Sequence, residues 1–298
     1  MKEIVVLSGK GGTGKTSLTA AFASMLDEPV LVDCDVDAAN LHILLNPAVR
    51  EQHDFIGGAK ARIDPANCSN CGLCAEACRF EAIQMVNGAK VNPVRCEGCG
   101  VCVSVCPADA VVMEPHLCGQ WFISSTQIGA MAHARLKPGD ENSGRLVSIL
   151  RQTARALAAQ NGASWILLDG PPGAGCPVIS SLTGADYALL VTEPTLSGFE
   201  DLRRVAAVAG HFGIPTGIVI NKADINPDVA SRIEEYAIAT GSDNLGRVNY
   251  DPAFTKAQME GLPVLSFASP GLRSSLVSAW SAAERAILKE RSPLAVLR

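Results

Sequence analysis

Residues 8–16 read Ser-Gly-Lys-Gly-Gly-Thr-Gly-Lys-Thr, between an apolar run at Glu3 to Leu7 and a helix-forming segment from Thr16 to Leu26. Gly9 to Thr16 is a G-x-x-x-x-G-K-T pattern in a strand, loop, helix setting, and few short sequences constrain a fold as tightly. Its glycines let backbone amides turn inward on phosphate oxygens, and the following helix presents the positive end of its dipole. Lys15 is expected to neutralise the β- and γ-phosphates, with the Thr16 hydroxyl as a Mg²⁺ ligand. The expected nucleotide-binding residues are Gly9, Lys10, Gly11, Gly12, Thr13, Gly14, Lys15, Thr16 and Ser17.

Further apolar runs lie near Val30 to Asp33, Trp165 to Asp169, Tyr187 to Thr192, Gly217 to Asn221 and Leu245 to Val248. Helical-period segments separate them, at Gly144 to Gln160, Gly198 to His211, Asp228 to Thr240 and Ser274 to Glu290. The alternation predicts an α/β fold, a doubly wound and mostly parallel sheet covered by helices. Between His116 and Pro138, Trp121-Phe122-Ile123 and Met131 to Leu136 predict a hairpin or a strand pair, with the pairing left open.

With 298 residues, 48% hydrophobic and 18% charged, the chain can bury one large core with a small satellite, which excludes a disordered or fibrous protein. A net charge of -5 argues against broad nucleic-acid binding. No apolar stretch approaches the roughly 20 residues of a membrane span, and the first strand starts too soon after Met1 for a signal peptide. A cytoplasmic location without membrane association is expected.

In that compartment thiols stay reduced, so the 11 cysteines point to metal rather than to disulfides. Eight of them form a duplicated CxxCxxCxxxC: Cys68, Cys71, Cys74 and Cys78, then Cys96, Cys99, Cys102 and Cys106. Ile63-Asp64-Pro65 matches Val91-Asn92-Pro93, Gly72 matches Gly100 and Met85 matches Met113, each 28 residues on, so the whole unit is repeated. Such spacing wraps three thiolates round one face of a cubane while the fourth ligates the other cluster. Two [4Fe-4S] clusters are expected: cluster one on Cys68, Cys71, Cys74 and Cys106, cluster two on Cys96, Cys99, Cys102 and Cys78. Zinc is the chemical rival, but zinc modules usually draw two ligands from each of two knuckles. The expected domains are 57–115, an inserted bicluster ferredoxin-like α+β domain, and 1–56 with 116–298, the nucleotide-binding domain. Arg79 stands where the second repeat has Pro107.

Lys10, a second lysine near the start of the phosphate loop, resembles the deviant Walker A motif of the MinD and ParA ATPases and of the nitrogenase iron protein. The resemblance implies that Lys10 reaches across a nucleotide-sandwich dimer to the partner's phosphates, and hence a dimer when ATP is bound, homomeric or with a related paralogue. Val32-Asp33-Cys34-Asp35-Val36-Asp37 is similar to the family's switch I, which implies Asp35 orienting the attacking water and Asp33 in the outer shell of Mg²⁺. Trp165 to Gly173 is similar to its Walker B and switch II, which implies that Asp169 holds Mg²⁺ through water. Lys10, Lys15 and Asp35 are the expected catalytic residues. Asn221-Lys222-Ala223-Asp224 falls where the family recognises the base, so Asn221 and Asp224 join the nucleotide-binding set. It is also the pattern with which GTPases read guanine, so ATP is the favoured nucleotide and GTP the alternative.

Cys34 reads as a small buried residue. Cys176 follows Asp169 by seven residues, where the nitrogenase iron protein has a ligand of its bridging cluster, with Cys118 as the candidate second ligand. A structural role for both is the favoured reading. On the last helix Leu276, Trp280, Ala283 and Ile287 share one face, expected to pack on the core, and only Leu294 to Arg298 follow Pro293. The whole resembles MinD-superfamily ATPases with an inserted ferredoxin domain. The resemblance implies ATP hydrolysis coupled to electron transfer, with a redox protein or metal-cofactor-binding protein as partner. The alternatives are a metal-cluster carrier, against which stands the missing C-terminal CxxC, and a positioning ATPase with structural clusters.

Overall fold

The computed structural model describes residues 1–139 and 143–289. In chain order the elements are β1 (Lys2–Ser8), α1 (Lys15–Ala23), β2 (Val30–Asp33), α2 (Leu41–Leu45), β3 (Ala48–Ile63), α3 (Leu73–Glu76), β4 (Ile83–Met85), β5 (Ala89–Val91), α4 (Val101–Ser104), β6 (Val111–Ser125) and β7 (Ala130–Leu136). There follow α5 (Ser143–Asn161), β8 (Trp165–Pro172), α6 (Cys176–Leu182), β9 (Tyr187–Thr192), α7 (Leu196–His211), β10 (Thr216–Asn221), α8 (Pro227–Thr240), β11 (Asp243–Val248), α9 (Ala253–Glu260), a 3-10 turn at Val264–Ser266 and α10 (Pro270–Leu288). The chain divides into a larger unit, Met1–Gln52 with Trp121–Ala134 and Ser143–Arg298, and a smaller one, His53–Gln120 with Arg135–Asn142, which takes in the duplicated cysteine segment.

The larger unit is an α/β fold on a mostly parallel sheet. Strands run β11-β10-β9-β1-β8-β2-β7, parallel throughout, with β6 and then β3 added beside β7. Because side chains alternate across a strand, Ile4 and Val6 of β1 join the core cluster beneath α1 and α10, and Val5 and Leu7 serve the opposite face. Trp280 of α10 packs on Phe22 of α1 at 5.5 Å between ring centroids and meets Trp165 edge-on at 5.8 Å. Leu276, Trp280, Ala283 and Ile287 are all buried, so this helix spends its apolar face on the core. It begins at Pro270, earlier than the expected Ser274, because the Ser269 side chain accepts the Leu272 amide and Pro270 fits the first turn. The expected end at Glu290, like Leu294 to Arg298, lies outside the described residues.

A buried charged cluster ties three elements together. Arg151 of α5 donates Nε to Glu3 Oε1 at 2.6 Å, and Arg155 donates to Glu3 Oε2 at 2.6 Å. Arg151 Nη1 also donates to the carbonyls of Ser180 and Thr183, each at 2.6 Å, satisfying the open end of α6. The C-terminal end of α6 is thereby anchored to β1.

The open segment from His116 to Pro138 is a hairpin: β6 and β7 are joined by a turn in which the Thr126 amide donates to the Gly129 carbonyl at 2.9 Å. The 16-residue β3 and the five-residue α2 were not among the expected elements. Most of β3 is exposed, and Glu51, Gln52, His53 and Asp54 give it no apolar run to read.

In the smaller unit the two cysteine repeats fold alike. Each has a four-residue helix, α3 or α4, entered through a left-handed glycine, Gly72 or Gly100. The Asn92 amide donates to Ala82 O at 2.7 Å and the Asp64 amide to Ala110 O at 2.8 Å, so the start of each repeat pairs with the end of the other.

Candidate nucleotide site and cysteine centre

The carboxyl ends of the parallel strands converge on the nucleotide cleft, the usual place for a ligand in an open α/β sheet. From β1 comes the phosphate loop, which with α2, α9 and the loop after β2 lines a cleft of about 510 Å³, including Gly11 to Ser17, Asp35, Asn40, Pro172 and Gln258. Two glycines are obligatory for packing. A Cβ on Gly9 would lie 2.3 Å from the Asp201 backbone, and one on Gly14, already at φ 89°, would lie 2.3 Å from Asn221 Nδ2.

Lys15 and Asp169 form a buried pair at 2.7 Å. Asp169 also accepts the Thr16 hydroxyl at 2.6 Å and the Thr19 hydroxyl at 3.2 Å, so one carboxylate gathers three side chains of α1. Burial presses the Lys15 ammonium towards losing its proton, but Asp169, with Asp35 and Asp33 behind it, holds its pKa above the ordinary lysine value. Asp33 is fully buried and accepts the amides of Asp35 (3.2 Å) and Leu41 (3.0 Å). Burial, then the charge of Asp169, push its pKa up to about 8. Burial likewise raises Asp35, against the attraction of Lys15.

Lys10 is engaged within its own chain. Its ammonium meets Glu193 at 2.7 Å, Ser197 at 3.2 Å and Thr195 at 3.4 Å. Glu193 also meets Lys222 at 3.2 Å, and Lys222 donates to the Gly12 carbonyl at 2.9 Å. Burial would raise the Glu193 carboxyl, but its bonds to Lys10 and Lys222 prevail and hold it below the usual glutamate value. Asn221 donates to the Thr13 carbonyl at 2.8 Å, while its buried Oδ1 has no hydrogen-bond partner. Asp224 accepts the Tyr250 amide at 2.6 Å.

In the smaller unit Cys78, Cys96, Cys99 and Cys102 line a single cavity. Burial pushes the Cys74 thiol up, opposed by the Ala75 amide and reinforced by the nearby Cys68 and Cys106. Cys102 is raised in the same way by burial and by Cys96 and Cys99. Cys71 is exposed, and the Leu73 amide lowers its thiol. The Ala82 amide donates to Cys78 Sγ and the Ala110 amide to Cys106 Sγ, both at 3.3 Å, one such bond per repeat. Among the described residues no group of three or more His, Cys, Asp or Glu side chains is arranged to hold a single metal ion. Cys118 is buried in the smaller unit and Cys176 is exposed at the start of α6 in the larger one. Cys34 is fully buried.

Residues 4–264 match the model of the CobQ/CobB/MinD/ParA nucleotide binding domain. The chain belongs to that family. Of its relatives, the uncharacterized protein MJ0578 of Methanocaldococcus jannaschii is 34% identical over 227 residues, 75% of this chain and 79% of that one. The uncharacterized protein MJ0579 of the same organism is 26% identical over 231 residues, 76% and 82% of the two chains. Among solved structures, the septum site-determining protein MinD of Pyrococcus horikoshii, complexed with Mg-ADP, superposes with a TM-score of 0.57 at 19% identity, covering 96% of each chain.

The larger unit is thus a MinD/ParA-like P-loop ATPase domain. Within this family frame the structure gathers Gly11 to Ser17 and Asp35 on the cleft, with Asp169 bonded to Lys15 and Thr16 beside them. Asp33 is turned to the backbone of its own loop, Lys10 to Glu193, and Asp224 to Tyr250. Glu193 and Gln258, which approaches Ser17 Oγ at 3.4 Å, were not singled out from the sequence. A hint of the first lies in Thr192-Glu193-Pro194, an acidic residue at a strand end; Gln258 carries no comparable signal. Among the described residues no helix is long and apolar enough to cross a membrane.

Proposed function

We propose that the chain is an ATP-hydrolysing iron-sulfur protein, in which nucleotide binding and dimer closure gate electron transfer through two [4Fe-4S] clusters. The observation that carries this reading is the sharing of one cavity by Cys78 of the first repeat with Cys96, Cys99 and Cys102 of the second. That is the crossed ligand set a bicluster module demands. The electrostatic contact of Cys74 with both Cys68 and Cys106 supports the reciprocal set, to which Cys71 completes the four. The amides of Ala82 and Ala110 aimed at cysteine sulfurs suit thiolates that bear charge. When bound, the clusters supply one-electron chemistry that no side chain of the chain provides.

On the nucleotide side, Thr16 and Asp169 are the oxygens for Mg²⁺, and Asp35 is the group to orient a water. Lys15 must leave Asp169 to meet the β- and γ-phosphates, and Lys10 must leave Glu193 to reach a partner subunit. Both lysines are therefore held by carboxylates that nucleotide and dimer closure would displace. ATP rather than GTP suits the base site. The buried Oδ1 of Asn221 has no partner within the chain, so adenine's exocyclic amine would satisfy it where guanine's carbonyl would not, and one oxygen of Asp224 already accepts the Tyr250 amide. The dimer is homomeric or formed with a related paralogue, as the two M. jannaschii relatives invite.

The test is anaerobic purification with iron and sulfide analysis, followed by ATPase turnover in the oxidised and reduced states with candidate redox proteins added. Iron near eight per chain and a turnover that responds to redox state are expected. Colourless, iron-free protein would sink the reading. The likeness to MinD over nearly the whole chain favours a second reading, a positioning ATPase whose clusters are structural. Turnover unaffected by redox state would select it.

A further inference from the structure

We infer that Gly98 is a positioning residue: it seats the Cys96 to Cys99 loop directly on β3 and so transmits movement of that strand to cluster two. The inference rests on the iron-sulfur reading above and deepens it by naming the contact that carries the coupling.

The two repeats differ at several matched positions, and one of these differences bears on β3. Asn70 and Gly98, 28 residues apart, both sit in the left-handed region, at φ 55° and 65°. Asparagine tolerates that conformation, so the backbone angle alone does not require glycine at 98. The neighbour does. A Cβ on Gly98 would lie 2.2 Å from the carbonyl oxygen of Ala59 on β3, a backbone atom that cannot swing aside. The next residue of β3 adds a second tie, since Lys60 Nζ donates to the Pro93 carbonyl at 2.5 Å, three residues before Cys96. In the first repeat Asn70 turns instead to its own cysteine, with Oδ1 3.7 Å from Cys68 Sγ. The amide bonds of Asp64 and Asn92 that tie each repeat to the other are common to both, so they do not distinguish the clusters.

β3 has a direct covalent line to the nucleotide loop. Asp33 accepts the amide of Leu41, the first residue of α2, and β3 starts three residues after α2 ends. A change at Asp33 to Asp35 that shifts α2 pulls on β3, and the Ala59 carbonyl bears on the loop holding two ligands of cluster two. Lengthening or shifting that loop alters the amide dipoles and solvent around the thiolates, which set a cluster's potential.

The experiment is a redox titration of the anaerobic holoprotein followed by EPR, with ADP and with a non-hydrolysable ATP analogue. Cys71→Ser and Cys99→Ser label the signals of clusters one and two. The expected wild-type result is a midpoint shift of cluster two between the two nucleotides. In Gly98→Asn, which accepts the backbone angle but not the contact, that shift is lost while the response of cluster one is kept. Asn70→Gly, the reciprocal exchange, leaves both responses as in wild type, and Lys60→Met reduces the shift of cluster two. A wild-type shift in both Gly98→Asn and Lys60→Met overturns the inference, as does equal loss of response at both clusters in these variants. Clusters present with no nucleotide response at cluster two in the wild type also overturns it. If Gly98→Asn fails to retain cluster two, a selective fall from about eight to about four iron atoms per chain supports the seat, whereas loss of all iron leaves Lys60→Met to decide. Iron-free wild-type protein is a different failure, that of the iron-sulfur reading itself.

Discussion

The two units of this chain are held together by different means. The larger one buries long apolar runs, with Ile4 to Leu7, Val30 to Val32 and Ala188 to Val191 each fully inaccessible. The smaller one has helices of four residues and few buried side chains, while Leu73, Phe80, Val94 and Val101 remain exposed. A segment of this size with so little apolar burial falls short of a stable core by itself. On the proposed iron-sulfur reading its cysteines would serve stability as well as chemistry, with ligand bonds in place of the hydrophobic effect as the source of folding free energy.

Removing the ligand should break the comparison most completely. Chelation under reducing conditions, or Cys102→Ala, is expected to abolish hydrogen-exchange protection in the smaller unit while leaving protection of β1, β8 and β9 unchanged. Lys15→Ala acts on the other side. Loss of the ammonium proposed to leave Asp169 for the phosphates should lower ATP turnover about a thousandfold, roughly 4 kcal/mol of transition-state stabilisation, with iron content unaltered. Glu3→Ala leaves Arg151 uncompensated in the interior and should destabilise the larger unit by about 3–5 kcal/mol, read by chemical denaturation, with cluster absorbance lost only afterwards.

The smallest effect belongs to Glu193. Its carboxyl titrates below the ordinary glutamate value, so its ties to Lys10 and Lys222 are complete above that ordinary value and fade as pH falls through the lower folded one. In acid, denaturation of the wild type should therefore show a slope that Glu193→Gln lacks. At neutral pH the same variant, with Lys10 released, should dimerise a few fold more readily with ATP in analytical ultracentrifugation.

The sequence makes the parallel strands legible because buried strands must be continuous apolar runs, as Tyr187 to Thr192 is. It hides β3 because an exposed strand needs no such run, and it hides α2 because five residues cannot display a helical period. At the site the phosphate loop is legible since its pattern is a short contiguous run, although the neighbours that require Gly9 and Gly14, Asp201 and Asn221, lie far along the chain. The partners of Lys10 are not, because Glu193 stands 183 residues away and only the return of β9 brings it near. The crossed cysteine sets of the proposed function fall between these cases. Their spacing is local, but the exchange of Cys78 for Cys106 depends on the repeat being doubled.

The approach of Asn221 to Gly14 has a consequence for protein engineering. The Asn221 amide, proposed above to meet the base, props the phosphate loop at Thr13, with no room against Gly14 for even a methyl group. Attempts to retune base preference at the end of β10 will deform the phosphate loop as well. Such variants should lose turnover before they gain a new nucleotide, and libraries that vary position 221 alone will be dominated by inactive clones.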